Sequence, residues 1–245
     1  MFGYSGGAGV IYDTVRTQPG YAPELKIAGG ALGGTRSRGS VDPVLVFTFA
    51  NKSPRAGLIP ILLQLFASQS PEFDTILRQQ LKPKCSEHFY NPNTQCLEAN
   101  YDAFRNQGIF SMFHSTGFIS RAAEYAKGLE VTDVAPQIPL YWLQLEKDEL
   151  APVTDTSETI SDLCSRGSQI EYEIETNKKF RHASYAMISV SHAFRWLDKV
   201  MSGSGADHGC TTKEVFTDRL DRDFLDTFSD KIQGFLKLTI NGQPL

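Results

Sequence analysis

Apolar positions recur at helical spacing from Ala8 to Gln18, which predicts a helix with Val10, Ile11 and Val15 on its buried side, stopped by Pro19-Gly20. Lys26 to Leu32 then reads as a short strand of small apolar residues, closed by Gly33-Gly34-Thr35. From Val41 to Asp133 the rhythm changes. The apolar runs Val44–Phe49 and Gly57–Phe66 lead into three helical stretches, Phe73–Leu81, Leu97–Gln107 and Phe118–Leu129, with a Cys/Pro/Asn-rich loop at Cys85–Cys96. Strand character returns at Gln137–Gln144, rich in β-formers, followed by a helix over Asp155–Ser165 that ends at Gly167. Gln169 to Glu175 alternates polar with apolar, as suits an edge strand, and the polar loop Thr176–Arg181 leads to a last helix over Ser184–Val200.

Strands alternating with helices predict an α/β fold with a parallel sheet flanked by helices. The strands near Lys26, Pro139 and Gln169 give a sheet of about three strands. On this reading residues 1–40 and 134–245 form the core, and residues 41–133 are a helical insertion between two strands, the place of a cap or lid. Its inward face would draw on Leu62, Leu65, Phe66, Phe110, Met112 and Phe113. The tail, Cys210 to Leu245, carries no recognisable chemistry.

The candidate chemistry sits at the start. Gly3-Tyr4-Ser5-Gly6-Gly7 fits Gly-x-Ser-x-Gly, the strand-to-helix turn that presents a nucleophilic serine. Glycines two residues either side keep side chains from colliding in the turn. The amide of Gly6, at a helix N-terminus, can donate to a developing oxyanion. Such pentapeptides also occur by chance, so the weight rests on an acid and a histidine further along the chain. Asp148 comes just after the strand-like Gln137–Gln144, with Glu149 and Asp155 as rival acids, and His182 follows the last strand. Of the other histidines, His88 and His114 fall in the insertion, His192 within a helix and His208 in a linker. Serine, acid and histidine in that order are the sequence order of an α/β-hydrolase triad. Serine Oγ becomes nucleophilic when His182 takes its proton, and Asp148 holds the imidazole in the required tautomer. Only Met1 and Phe2 precede Gly3, so the chain reads as the C-terminal part of a larger enzyme, with the strand that feeds the turn and a second oxyanion donor expected upstream.

Composition narrows the alternatives. The 245 residues carry a net charge of -4, which gives no basic footprint for nucleic acid. No run approaches the ~18–20 apolar residues of a membrane helix. Cys85, Cys96, Cys164 and Cys210 lack the paired spacing of a zinc site, and the scattered histidines offer no metal motif, so no metal or cofactor is expected. Asn51-Lys52-Ser53 is a glycosylation sequon weakened by Pro54, and with the cysteines it leans towards a secreted protein.

Gly3-Tyr4-Ser5-Gly6-Gly7-Ala8, Tyr21 to Gly29 and Ala31-Leu32-Gly33-Gly34-Thr35 together resemble the fungal secretory lipase family, extracellular triacylglycerol lipases built on the α/β-hydrolase fold. Ile138-Pro139-Leu140, Asp148-Glu149, Pro152-Val153, Cys164-Ser165-Arg166-Gly167 and His182 are similar to that family's C-terminal segments. The resemblance implies a helical cap, a triad of Ser5, Asp148 and His182, and hydrolysis of lipid esters at a lipid–water interface without metal or cofactor. It also implies disulfides, Cys164 with Cys210, and Cys85 or Cys96 with a cysteine upstream. A short-chain carboxylesterase, an acyltransferase and an inactive remnant are the competing readings.

Overall fold

The computed structural model describes residues 1–35, 43–119, 121–122, 134–203, 205, 209–218, 225 and 229–234. The chain divides into two compact units, one of Met1–Arg38 with Val131–Leu245 and one of Gly39–Glu130.

The first unit is built on a parallel sheet of five strands in sequence order: β1 Phe2–Tyr4, β2 Gly30–Gly33, β3 Leu140–Leu145, β4 Ile170–Glu175 and β5 Cys210–Val215. Helices α1 Gly6–Tyr21, α7 Val153–Ser165 and α8 His182–Met201 accompany them. The strand period of two divides the core between two faces. Leu32, Leu140, Trp142, Ile170 and Tyr172 pack with Ala8, Ile11, Tyr12 and Val15 of α1 and with Ile160 and Leu163 of α7. Ala31, Tyr141, Leu143 and Leu145 pack on the other side with Tyr185, Ile188, Ala193 and Trp196 of α8. With helices on both faces, every residue of β3 is buried, as a central parallel strand requires.

Several expectations need correction. The sheet has five strands where about three were expected. Phe2–Tyr4 is itself a strand, pairing with Ala31–Gly33, so the serine turn does have a strand feeding it. The tail supplies β5, whose sequence Cys-Thr-Thr-Lys-Glu-Val has no apolar run to announce it. It lies almost wholly exposed at the sheet edge and is defined by its pairing with β4. That pairing makes β4 an interior strand. Its glutamates find partners on α8 and the neighbouring strands: half-buried Glu171 accepts from Trp196 Nε1 at 2.7 Å, and buried Glu173 from Tyr141, His192 and Lys213. Helix α1 runs to Tyr21 with Pro19 inside its last turn, where the proline leaves the helix one amide donor short. On that helix Tyr12 is buried, whereas Val10 is 67% exposed.

The second unit is helical: α2 Pro43–Ala50, α3 Leu58–Gln69, α4 Pro71–Gln80, α5 Ser86–Tyr90 and α6 Leu97–Phe104. Pro60 is tolerated because it lies in the first turn of α3, where its missing amide would have had no helical acceptor. Phe47, Ile59, Leu63, Phe73, Leu77, Phe89 and Phe104 are fully buried in this unit's own core. Helix α5 occupies part of the expected loop Cys85–Cys96. The helix expected over Phe118–Leu129 lies largely outside the described residues.

Candidate active site

All five strands are parallel, so their carboxyl ends share one rim, where the backbone leaves the sheet and side chains can meet. Ser5 stands on that rim between β1 and α1, with φ 53° and ψ -120°. A non-glycine residue in the left-handed region is strained, and the strain is held by specific bonds. Ser5 N–H donates to Gly33 O at 2.8 Å, and Ala8 and Gly9 N–H donate to Ser5 O at 3.0 and 3.1 Å. A Cβ at Gly3 would lie 2.5 Å from Gly7 O, so glycine is required there. The other flanking glycine is different: Gly7, like Gly6, has nothing within 4 Å of an added Cβ. Gly6 is the first residue of α1, where the backbone amides have no intrahelical acceptor.

Asp148 lies in the turn after β3. Its Oδ1 accepts the amides of Leu150 and Ala151, both at 2.8 Å, which closes the turn around the carboxylate. Gln144, fully buried in β3, donates Nε2 to Ala151 O at 2.6 Å and ties the same turn to the strand. His182 follows β4 and is the first residue of α8. Its Nδ1 lies 2.8 Å from Asp148 Oδ2 and 3.0 Å from Oδ1, with the Asp148 side chain 0% and the His182 side chain 8% exposed. A buried carboxylate on Nδ1 favours the tautomer protonated there and leaves Nε2 free as an acceptor.

Tyr4 joins the histidine to the serine turn. Its ring centroid lies 5.1 Å from that of His182. A Cβ at Gly34, whose φ is 57°, would come within 2.4 Å of Tyr4 Cζ, so Gly33-Gly34 form the slot for this ring. Burial first, then the charges of Asp148 and Glu149, push the Tyr4 phenol up. Nothing in the sequence pattern marked Tyr4 beyond its place inside the motif.

The rival residues fall elsewhere. Asp155 is in the first turn of α7. Glu149 accepts the backbone amide of His182 at 3.0 Å, while the imidazole's Nδ1 meets Asp148. His192 bonds Glu173, and His88 stacks on Phe104 at 4.2 Å within the helical unit. His208 lies outside the described residues. Among the described residues no group of three or more His, Cys, Asp or Glu could hold a metal ion, and no helix is long and apolar enough to cross a membrane. Of the apolar residues expected on an inward face of the insertion, Phe66, Met112 and Phe113 are buried in that unit's own core, whereas Leu65 is 48% exposed. A disulfide joins Cys164, at the end of α7, to Cys210, at the start of β5, while Cys85 and Cys96 carry free thiols.

A parallel sheet between helices, with a serine turn after one strand and an acid and a histidine after two others, defines the α/β-hydrolase class. The structure of Candida antarctica lipase A shares the fold, with a TM-score of 0.73 at 19% identity over 99% of this chain and 56% of that one. A family model described as secretory lipase matches residues 1–209, and the chain belongs to that family. Lipase A of Arthroderma benhamiae is 28% identical, over 100% of this chain and 52% of its own length. Secreted triacylglycerol lipase LIP4 of Malassezia globosa is 26% identical, over 96% of this chain and 53% of its own. The chain thus spans about half the length of the relatives it matches.

Proposed function

We propose that the protein is an exported serine esterase that hydrolyses carboxylic esters of lipids, triacylglycerols among them, with Ser5 as nucleophile, His182 as general base and Asp148 as its orienting acid. The observation that carries the reading is the buried Asp148–His182 pair on the same rim as the strained Ser5. His182 Nε2 takes the Ser5 hydroxyl proton as Oγ attacks the ester carbonyl, and the imidazolium is stabilised by Asp148. The carbonyl electron pair moves onto oxygen, where the Gly6 amide donates to it. Collapse of this intermediate expels the alcohol, which takes the proton from His182, and leaves an acyl group on Ser5. A water, deprotonated by His182, then attacks the acyl carbonyl and releases the fatty acid.

The Cys164–Cys210 disulfide fits an oxidising compartment, and the named relatives fit both export and a triacylglycerol substrate. The helical unit 39–130 is read as the cap insertion of such an enzyme, from its place in the chain between two strands of the sheet. The test is labelling of the natural full-length protein with a fluorophosphonate, followed by peptide mapping, with turnover of emulsified triacylglycerol measured beside p-nitrophenyl butyrate. Label on Ser5, lost in Ser5→Ala together with both activities, is the expected result. Label on another residue with turnover retained in Ser5→Ala rejects the assignment.

A further inference from the structure

We propose that Glu149 is a positioning residue for His182: two consecutive acids of one turn hold the histidine by different atoms, Asp148 by the ring and Glu149 by the main chain. The inference rests on the reading of Ser5, Asp148 and His182 as a triad.

Helix α8 begins at His182, so the backbone amide of that residue has no acceptor inside the helix. The local cap does not serve it. Ser184 Oγ accepts the amide of Arg181 at 2.8 Å and donates back to Arg181 O at 3.1 Å. The His182 amide instead donates to Glu149 Oε2 at 3.0 Å, across 33 residues of sequence. A carboxylate at this end of a helix is also favoured by the helix dipole.

The two bonds do different work. Asp148 has both oxygens near Nδ1 and spends Oδ1 further on the amides of Leu150 and Ala151. Those contacts fix the carboxylate in its turn and set the direction of the ring. They leave the first turn of α8 to be fixed against the acid turn by something else, and the Glu149 bond is the described contact that does so. If the helix end slides, the imidazole moves with it relative to both Asp148 and the serine turn. A displacement of about 1 Å can cost ~10²-fold in rate. Glu149 is half-buried beside the same cluster, and its charge reaches Tyr4, whose ring covers His182.

Glu149→Ala, Glu149→Gln and Asp148→Asn in the natural full-length protein separate the possibilities. Glu149→Ala is expected to lower kcat by ~10–100-fold with KM within about twofold, and to slow fluorophosphonate labelling of Ser5 in parallel. Glu149→Gln keeps an acceptor oxygen and is expected to restore most of kcat. Wild-type kcat in both Glu149 variants, with Asp148→Asn strongly impaired, overturns the role of Glu149 alone. If Glu149→Ala does not fold, Glu149→Asp, which keeps the charge but shortens the reach to the His182 amide, decides, and wild-type kcat there overturns the role. Near-normal turnover in Asp148→Asn would instead overturn the triad reading beneath it.

Discussion

His182 Nδ1 and Asp148 Oδ2 lie 2.8 Å apart although 34 residues separate them in sequence. Two adjacent parallel strands, β3 and β4, end at the same rim and deliver one residue each to the meeting point. Because Asp148 Oδ1 already accepts two backbone amides, an asparagine that keeps this oxygen preserves the turn while removing the charge on Nδ1. Asp148→Asn is therefore expected to lower kcat by roughly 10⁴-fold with little change in melting temperature. Asp155→Asn, in the first turn of α7, should stay within about twofold of wild type. Steady-state kinetics and thermal unfolding of the two variants check this, and the reverse ranking would show that the acid is misplaced.

The serine turn predicts unequal roles for its glycines. A Cβ at position 3 meets backbone, 2.5 Å from Gly7 O and 2.6 Å from Gly7 C, and backbone cannot step aside as a flexible side chain would. Gly3→Ala should destabilise the protein by ~1–3 kcal/mol and reduce turnover at least tenfold, because the shift falls on Ser5 itself. Gly7→Ala meets open space and should leave stability within about 0.5 kcal/mol of wild type. Denaturant midpoints of the two variants measure the contrast.

Glu173 gives the fold a predictable acid response. Burial by itself would raise its pKa, but hydrogen bonds and charge from His192, with further bonds from Tyr141 and Lys213, overcome this and bring it down from 4.5 to about 2. A carboxyl with a depressed folded value contributes stability above its unfolded value, and that stability is lost as pH falls towards the folded one. The window runs from 4.5 to about 2, and the contribution is on the order of 3 kcal/mol. Glu173→Gln should be much less stable than wild type at pH 6, with the gap narrowing towards pH 2. Parallel stability curves for the two proteins would exclude this source of the acid response.

The Cys164–Cys210 bridge closes a span of 46 residues that includes β4 and α8. Cross-linking a loop of this length stabilises by about 4 kcal/mol in the chain-entropy account. For a chain of this size, a paired Cys164→Ala, Cys210→Ala variant should melt about 10 °C lower, and reducing agent should lower wild type alone by a similar amount. Scanning calorimetry with and without reductant reads both.

The sequence by itself determined the class of fold and the chemistry that carries the proposed site. Gly3-Tyr4-Ser5-Gly6-Gly7 is local: its geometry is set by glycine at position 3 and a helix starting at Gly6, so it can be read from adjacent residues. Asp148 and His182 could be chosen because each comes closely after a segment of strand-forming residues, and a parallel sheet sends such positions to one rim. Only the tertiary structure decided what depends on distant partners. β5 has no apolar pattern and exists through its ladder with β4 and the bond from Cys210 to Cys164. The alternation of β4 suited an edge strand because it reports polarity alone, whereas the places of Glu171 and Glu173 depend on Trp196, His192, Tyr141 and Lys213, which arrive from α8 and the neighbouring strands. Glu149 looked like a rival to Asp148 because both are carboxylates in one turn. Which of them meets the imidazole ring and which the backbone amide is set by how α8 docks, and no local pattern encodes that.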